Sequence, residues 1–223
     1  MGRNALKTIV LALSLLLGAC ATPRPNTGES GDPLALQVER LARALRPVDD
    51  WTASVSLRQR ITLRWQDESA RLDAVLEKRA GRLRLLALGP MNTPGFVITL
   101  EEQGLGVVNL TGRPIPFAPE HIIADVQRVY YPWCTAPAPC PTCPHEIAGI
   151  RVSEQREADG SVLRRFSIAA WPERGEIVVS LSAQSAVADV PRRANVENGW
   201  LGYTIEVETL DAAPIRDTTD RDQ

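Results

Sequence analysis

The chain has 223 residues, 44% hydrophobic and 23% charged, with Lys+Arg 25 against Asp+Glu 27 and a net charge of −2. That is ordinary globular composition and one domain's worth of chain, which excludes wholesale disorder and collagen-like repeats. No global basic field exists to hold a nucleic acid backbone, and two histidines, His121 and His145, leave little acid–base chemistry for neutral pH.

Arg3 and Lys7 precede an apolar run from Ile9 to Leu17, broken only by Ser14. The run is too short to cross a bilayer as a helix, which takes about 20 apolar residues. A basic start, an apolar core and small residues after it predict a secretory signal. The run ends in Leu17-Gly18-Ala19-Cys20, which resembles a bacterial lipobox. The resemblance implies that residues 1–19 are removed and that Cys20 is lipidated. The alternative is an ordinary signal peptide followed by an incidental cysteine. Ala21 follows Cys20. Enterobacterial lipoproteins kept in the inner membrane carry Asp there, so the resemblance implies the outer membrane, facing the periplasm. Each buried CH₂ contributes about 0.8 kcal/mol and one chain holds only reversibly, so a multiply acylated Cys20 meets the need of a stable anchor. Losing the leader removes Arg3 and Lys7 and no acid, so nothing presses the whole surface against anionic lipid.

Ala21 to Asp32 is rich in Pro, Thr, Gly and Ser and predicts a flexible tether of at most roughly 40 Å. The organisation expected is therefore leader 1–19, lipidated Cys and tether 20–32, one domain over 33–210, and a disordered tail 211–223. Asp32-Pro33 starts a helix with Asp as N-cap and Pro in the first turn. Leu34, Val38, Leu41, Ala42 and Leu45 repeat at helical spacing up to Pro47. From Trp51 to Trp65 the odd positions are mostly apolar and the even ones mostly polar, including Arg58, Arg60 and Arg64. That period of two predicts a long half-buried strand. Further strands are predicted over Arg71 to Lys78, Arg82 to Leu88, Phe96 to Leu100 and Leu105 to Leu110. Pro119 to Tyr130 returns to helical spacing. Strands resume after about Ala148, at Ile150 to Arg156, Val162 to Ala169, Glu176 to Leu181 and Tyr203 to Thr209. The fold class expected is mainly β (α+β), a curved antiparallel sheet with helices on its concave face. Whether that concavity is hollow, and so able to hold a ligand, or filled by side chains stays open at this level.

Three features resemble the LolB-type outer-membrane lipoprotein receptors. They are Leu85 to Leu100 (LLALGPMNTPGFVITL), Thr111-Gly112-Arg113-Pro114-Ile115-Pro116, and the order anchor, helix, strands, helix, strands. A nearer resemblance is to uncharacterised lipoproteins of this fold encoded beside aryl polyene biosynthesis enzymes. It rests on Ala124-Asp125-Val126-Gln127 through Tyr131-Pro132 and Arg192-Arg193 through Gly202-Tyr203-Thr204-Ile205. The resemblance implies a half-open β-barrel with a helical lid and an apolar cavity for acyl chains. Its cargo would be a lipoprotein or a lipid, the polyene kind included, taken from a periplasmic carrier and released into the outer membrane. On that view the cavity is lined by Val55, Leu57, Ile61, Leu63, Phe96, Ile98 and Leu100 with Ile122, Val126 and Val129 of the helix; plain core packing is the competing account of each. In the LolB family an apolar residue on a protruding Pro-Leu-Gly loop helps insertion. Here Met91 stands in the Leu position and Asn92 replaces the Gly; a core gap-filler is the other reading of Met91.

Trp133 to Glu146 carries Cys134, Cys140 and Cys143, with His145 following. In an oxidising periplasm one disulfide with a leftover thiol is expected from the three. Cys₃His zinc binding and no bond at all are the alternatives. No nucleophile elbow, phosphate loop or His-Glu-x-x-His occurs, so neither an enzyme nor a cofactor is expected. Glu101-Glu102 and Arg192-Arg193 read as solvated turn and edge charges, and Trp171-Pro172 as a hairpin corner. Two functions remain: an acyl-chain carrier or receptor, and a scaffold lipoprotein with a filled core.

Overall fold

The period-two stretch lies in the middle of the sheet. The computed structural model describes residues 33–112, 115, 117–134, 145–182 and 190–215. By its internal contacts the chain divides into residues 1–36 and residues 37–223, and the sheet and its cover belong to the second unit. The strands are β1 (Val55–Trp65), β2 (Glu68–Arg79), β3 (Arg82–Leu88), β4 (Pro94–Glu101), β5 (Gly104–Asn109), β6 (His145–Ile147), β7 (Ile150–Arg156), β8 (Val162–Ile168), β9 (Glu176–Leu181), β10 (Arg193–Asn198) and β11 (Tyr203–Pro214). The helices are α1 (Pro33–Ala42) and α2 (Pro119–Tyr130).

All eleven strands form one antiparallel sheet in the order β5-β4-β3-β2-β1-β11-β10-β9-β8-β7-β6. Each half is a meander. The first and last strands, β1 and β11, join the halves edge to edge, from Val55 opposite Pro214 to Trp65 opposite Tyr203. The sheet is curved and stays unclosed, with β5 and β6 as its edges. The only chain running from one edge to the other is the stretch that contains α2. That connection lays the helix across the concave face, as the sequence class predicts.

α2 is rich in β-branched residues, which are only moderate helix formers. Pro119 at its first position fixes the starting φ, and buried Ile123 and Val129 with half-buried Ile122 and Val126 supply an apolar stripe. Packing therefore holds this helix more than propensity does. The end of α1, within residues 37–42, meets α2: the Arg128 guanidinium donates to the Ala42 carbonyl at 2.7 Å, and His121 Nε2 sits 3.2 Å from Glu39 Oε1.

Several boundaries differ from the sequence reading: β2 starts at Glu68, ahead of the expected Arg71, and β4 at Pro94, ahead of Phe96. α1 stops at Ala42, short of Leu45, because residues 43–47 leave the helix to be clasped: the Gln127 amide accepts from the Arg46 N–H at 2.8 Å and donates to its carbonyl at 2.9 Å. β1 begins at Val55, since Val48–Asp50 is a 3₁₀ turn that tucks Trp51 against Tyr130 and Tyr131. β6 and β10 are additional strands; neither alternates strongly enough to be read alone. β11 runs past Leu210 to Pro214, so the residues read as a tail from 211 begin as strand. They pair with Val55 to Arg58 along the side of β1 that β2 does not cover.

The concave face is filled at one end. There Val55, Leu57, Leu76, Leu83, Ile98 and Leu100 pack under Val48, Trp51, Ile123 and Tyr131. Each such burial contributes about 1.5–3 kcal/mol. The same end buries Lys78, whose ammonium donates to the Arg79 carbonyl at 2.6 Å with Asp49 at 3.8 Å. Burial lowers its pKa and Asp49 opposes the shift.

Candidate functional site

The other end of the same face is hollow. A cavity of about 140 Å³ lies between the sheet and α2. Apolar cavities of roughly 150 Å³ stay dry and take up benzene or xenon, which sets the scale of what this one holds as it stands. Its sheet wall is Ile61, Leu63, Leu72, Leu85, Ala87, Phe96, Val196, Ile205 and Val207, and its roof is Ile122, Val126, Val129 and Tyr130. Phe117 closes one side, edge-on to Trp65 at 5.5 Å and tilted on Tyr203 at 5.4 Å. Trp65 ends β1 and Tyr203 starts β11, so these rings mark the end of the sheet where the cavity lies.

Its surface is almost wholly apolar, and the polar residues that border it, His121 and Asp125 from α2, Tyr203 from β11, and Gln59 with Tyr130, turn little polar surface into it. Asp125 accepts from Arg128 at 2.7 Å and from the Tyr203 hydroxyl. Both members of the Asp125–Arg128 pair are buried. Arg164 donates to the carbonyls of Arg128 and Val129 at 2.9 and 2.8 Å and pairs with Glu154 at 2.7 Å. A cation on the last carbonyls of α2 completes that helix end. Burial, helped by the Asp125 carboxylate, pushes the Tyr203 phenol far up. Burial raises Tyr130 to about 12, against hydrogen bonds from Thr209 and Gln59.

Of the ten residues named for a cavity, Ile61, Leu63, Phe96, Ile122, Val126 and Val129 line this one. Val55, Leu57, Ile98 and Leu100 do not; they sit in the filled end, where the clasped segment 44–53 reaches down onto them. Sequence reasoning left out Phe117, which carries no periodic signal, and the β11 residues, whose alternation is visible but whose pairing with β1 is not.

Met91 is 93% exposed and so is no gap-filler. It sits in the β3–β4 loop, between Ala87 and Phe96 of the cavity wall, hence at the hollow end. Met91 and Asn92 both take the left-handed conformation, with φ 56° and 58°. Asn tolerates that region better than most side chains. Val108 and Leu110 are exposed at the same corner, where the Leu110 N–H meets the Gly95 carbonyl at 2.9 Å. From Leu85 to Leu100 and from Gln103 to Gly112 the sequence holds no charge; Glu101 and Glu102 lie at the opposite end of the β4–β5 hairpin.

Cys134 is disulfide-bonded, which removes it as a zinc ligand and fits the disulfide expectation. Cys140, Cys143 and the lipidation candidate Cys20 lie outside the described residues, as does the His145 side chain. Among the described residues no helix is long and apolar enough to cross a membrane. Arg193 is solvated, 3.9 Å from Glu208, but starts β10, an interior strand and not an edge; Trp171-Pro172 opens a 3₁₀ corner.

No curated protein matches the sequence. Among solved structures, one described as a "putative outer membrane lipoprotein-sorting protein domain" from Vibrio parahaemolyticus aligns with a TM-score of 0.41 at 12% identity, over 85% of this chain and 94% of that one. A DUF1329 family protein from Desulfovibrio piger aligns with a TM-score of 0.36 at 10% identity, over 84% and 92%. Neither bears on an aryl polyene pathway. One family model matches residues 56–211, from the start of β1 to near the end of β11, and the chain belongs to the family it describes, "Protein of unknown function (DUF3261)".

Proposed function

We propose that this protein binds the apolar tail of a lipid or lipoprotein in the cavity under α2 and passes it to or from a membrane, without catalysing a reaction. The observation that carries the reading is the coincidence of two features at one end of the sheet. The cavity lies there, and there the exposed, uncharged corner of Met91, Val108 and Leu110 projects. Transfer needs no bond chemistry. A tail moves between apolar environments with a driving force of about 25 cal/mol per Å² of apolar area gained or lost. Met91 on this reading enters the acyl layer, Phe117 yields to admit a chain longer than the resting cavity holds, and Cys20, once lipidated, keeps the domain at the outer membrane. Cargo would be an acylated lipid or lipoprotein handed over by a periplasmic carrier, the aryl polyene lipids being one candidate.

The test is transfer of a fluorescent diacylated peptide between donor and acceptor vesicles, with the full chain anchored in the acceptor. Transfer faster than the spontaneous rate, and slowed in Met91→Asp, is the expected result. A rate equal to the spontaneous one sinks the reading. The scaffold alternative draws on one observation, the modest 140 Å³ of the resting cavity; it predicts a purified chain free of extractable lipid.

A further inference from the structure

We propose that the outer face of β3, β4 and β5 is a wall that lies against the headgroup boundary of a lipid bilayer; this deepens, and rests on, the membrane-transfer reading. Buried Leu76, Leu85 and Ile98 stand opposite one another on the concave face. Their chain neighbours Val75, Leu86 and Val97 therefore form a row on the outer face, which Val108 of β5 ends at the sheet edge. At about 4.8 Å between strands, the row is about 14 Å wide. An outer face that meets water carries polar residues. The other half of the same sheet does so: across β1, β11, β10 and β9 a row reads Thr62, Glu206, Asn195 and Ser180. Val75, Leu86 and Val97 are half-buried, and Val108 is 55% exposed. From Val108 the apolar surface runs on to the corner of Met91 and Leu110.

Shape, tether and charge favour lipid over a second copy of the chain. The outer face is convex, and two convex faces meet over little area, whereas a stable protein interface buries about 1,200–2,000 Å². A bilayer needs no socket matched to a side chain as prominent as Met91. The stretch 21–32 between Cys20 and α1 reaches at most roughly 40 Å, so an acylated Cys20 keeps the domain beside a bilayer. The bordering acids Asp73 and Glu77 are paired with Arg60 and Arg84, each at 3.3 Å, and Arg58, opposite Val75 on one side, has Asp211 opposite it on the other. Balanced charges neither repel lipid phosphates nor require an anionic leaflet. The contact is shallow. No strand lies beyond β5, and its outer N–H and C=O groups keep water or headgroup partners only outside the hydrocarbon.

The test places single added tryptophans on the full acylated chain in phosphatidylethanolamine–phosphatidylglycerol vesicles, with and without bromine on the acyl chains. The emission added by Val97→Trp and Val108→Trp is expected to fall about twofold on brominated vesicles, because interfacial seating of about 5–10 Å brings the rings to the acyl boundary. Ser180→Trp, on the polar half, is expected to add emission that bromine leaves unchanged. Salt at about 1 M is expected to alter neither result, since charge does not hold the contact. If Val97→Trp does not fold, Leu86→Trp replaces it. Quenching of Met91→Trp alone overturns the wall and leaves tail transfer through the Met91 corner standing. A blue-shifted Val108→Trp that bromine does not quench means that a second copy covers the row, and equal quenching of Ser180→Trp means that no face is preferred; either overturns the wall. No quenching at Met91, Val97 or Val108 overturns the wall and the membrane-transfer reading together.

Discussion

The two ends of the concave face are made of the same kinds of side chain and end up differently. At one end Leu57, Leu83 and Ile98 are fully or almost fully buried beneath Trp51, Tyr131 and Ile123. At the other, Ile61, Leu63 and Phe96 face a space. The strands do not differ; the cover does. The filled end has a second layer, residues 44–53, locked to α2 by the Gln127 amide and by Arg46 over the Trp133 ring at 4.6 Å. The hollow end has only α2 and one phenylalanine. Helix position is in turn fixed from the far half of the sheet by Arg164 and Tyr203. A buried ionic frame on one side thus holds the helix over a void on the other.

Breaking that frame has the largest expected effect. Arg128→Met leaves Asp125 buried without its ion partner and is expected to cost about 3–5 kcal/mol in urea unfolding. A loss under about 1 kcal/mol would mean that apolar packing alone seats α2. Truncation separates the two ends next. Leu57→Ala at the filled end is expected to cost about 3–4 kcal/mol and Leu63→Ala at the hollow end about half that, because a residue already beside a void gives up fewer contacts. Equal losses would erase the distinction.

Alkaline pH probes both ends together. Burial raises Tyr131, in the filled end, and Tyr130, in the cavity roof, each to about 12 from the ordinary 10. The unfolded chain ionises first, so this stability is complete below pH 10 and is lost as pH rises to 12. Each phenol accounts for about 2–3 kcal/mol. Unfolding midpoints falling over that interval, with phenolate absorbance appearing alongside, are the expected result. The smallest effect lies outside the core: Asn92→Gly removes a left-handed non-glycine residue and is expected to add about 0.5–1 kcal/mol without altering tail transfer.

Period-two alternation from Val55 to Trp65 made the face of every β1 residue legible, and Pro119 to Tyr130 was readable as a helix to the residue. Local patterns carry such information because they arise from local geometry. Three things were out of reach. Alternation shows which way Leu57 and Leu63 point and not whether anything meets them. Pairing of β1 with β11 joins residues far apart in sequence, so the β11 wall of the cavity was hidden. The burial of His121 and Asp125 was invisible because they look like surface positions until Arg128, Tyr203 and Glu39 are placed around them.

Xenon under pressure tests the contrast between the two ends most directly. The dense gas enters existing apolar voids of this size without needing polar contacts. Crystals of the protein should show xenon between Ile61, Phe96 and Val126 and none between Leu57, Leu83 and Ile98. Xenon at neither end, or at the packed end alone, would contradict the account.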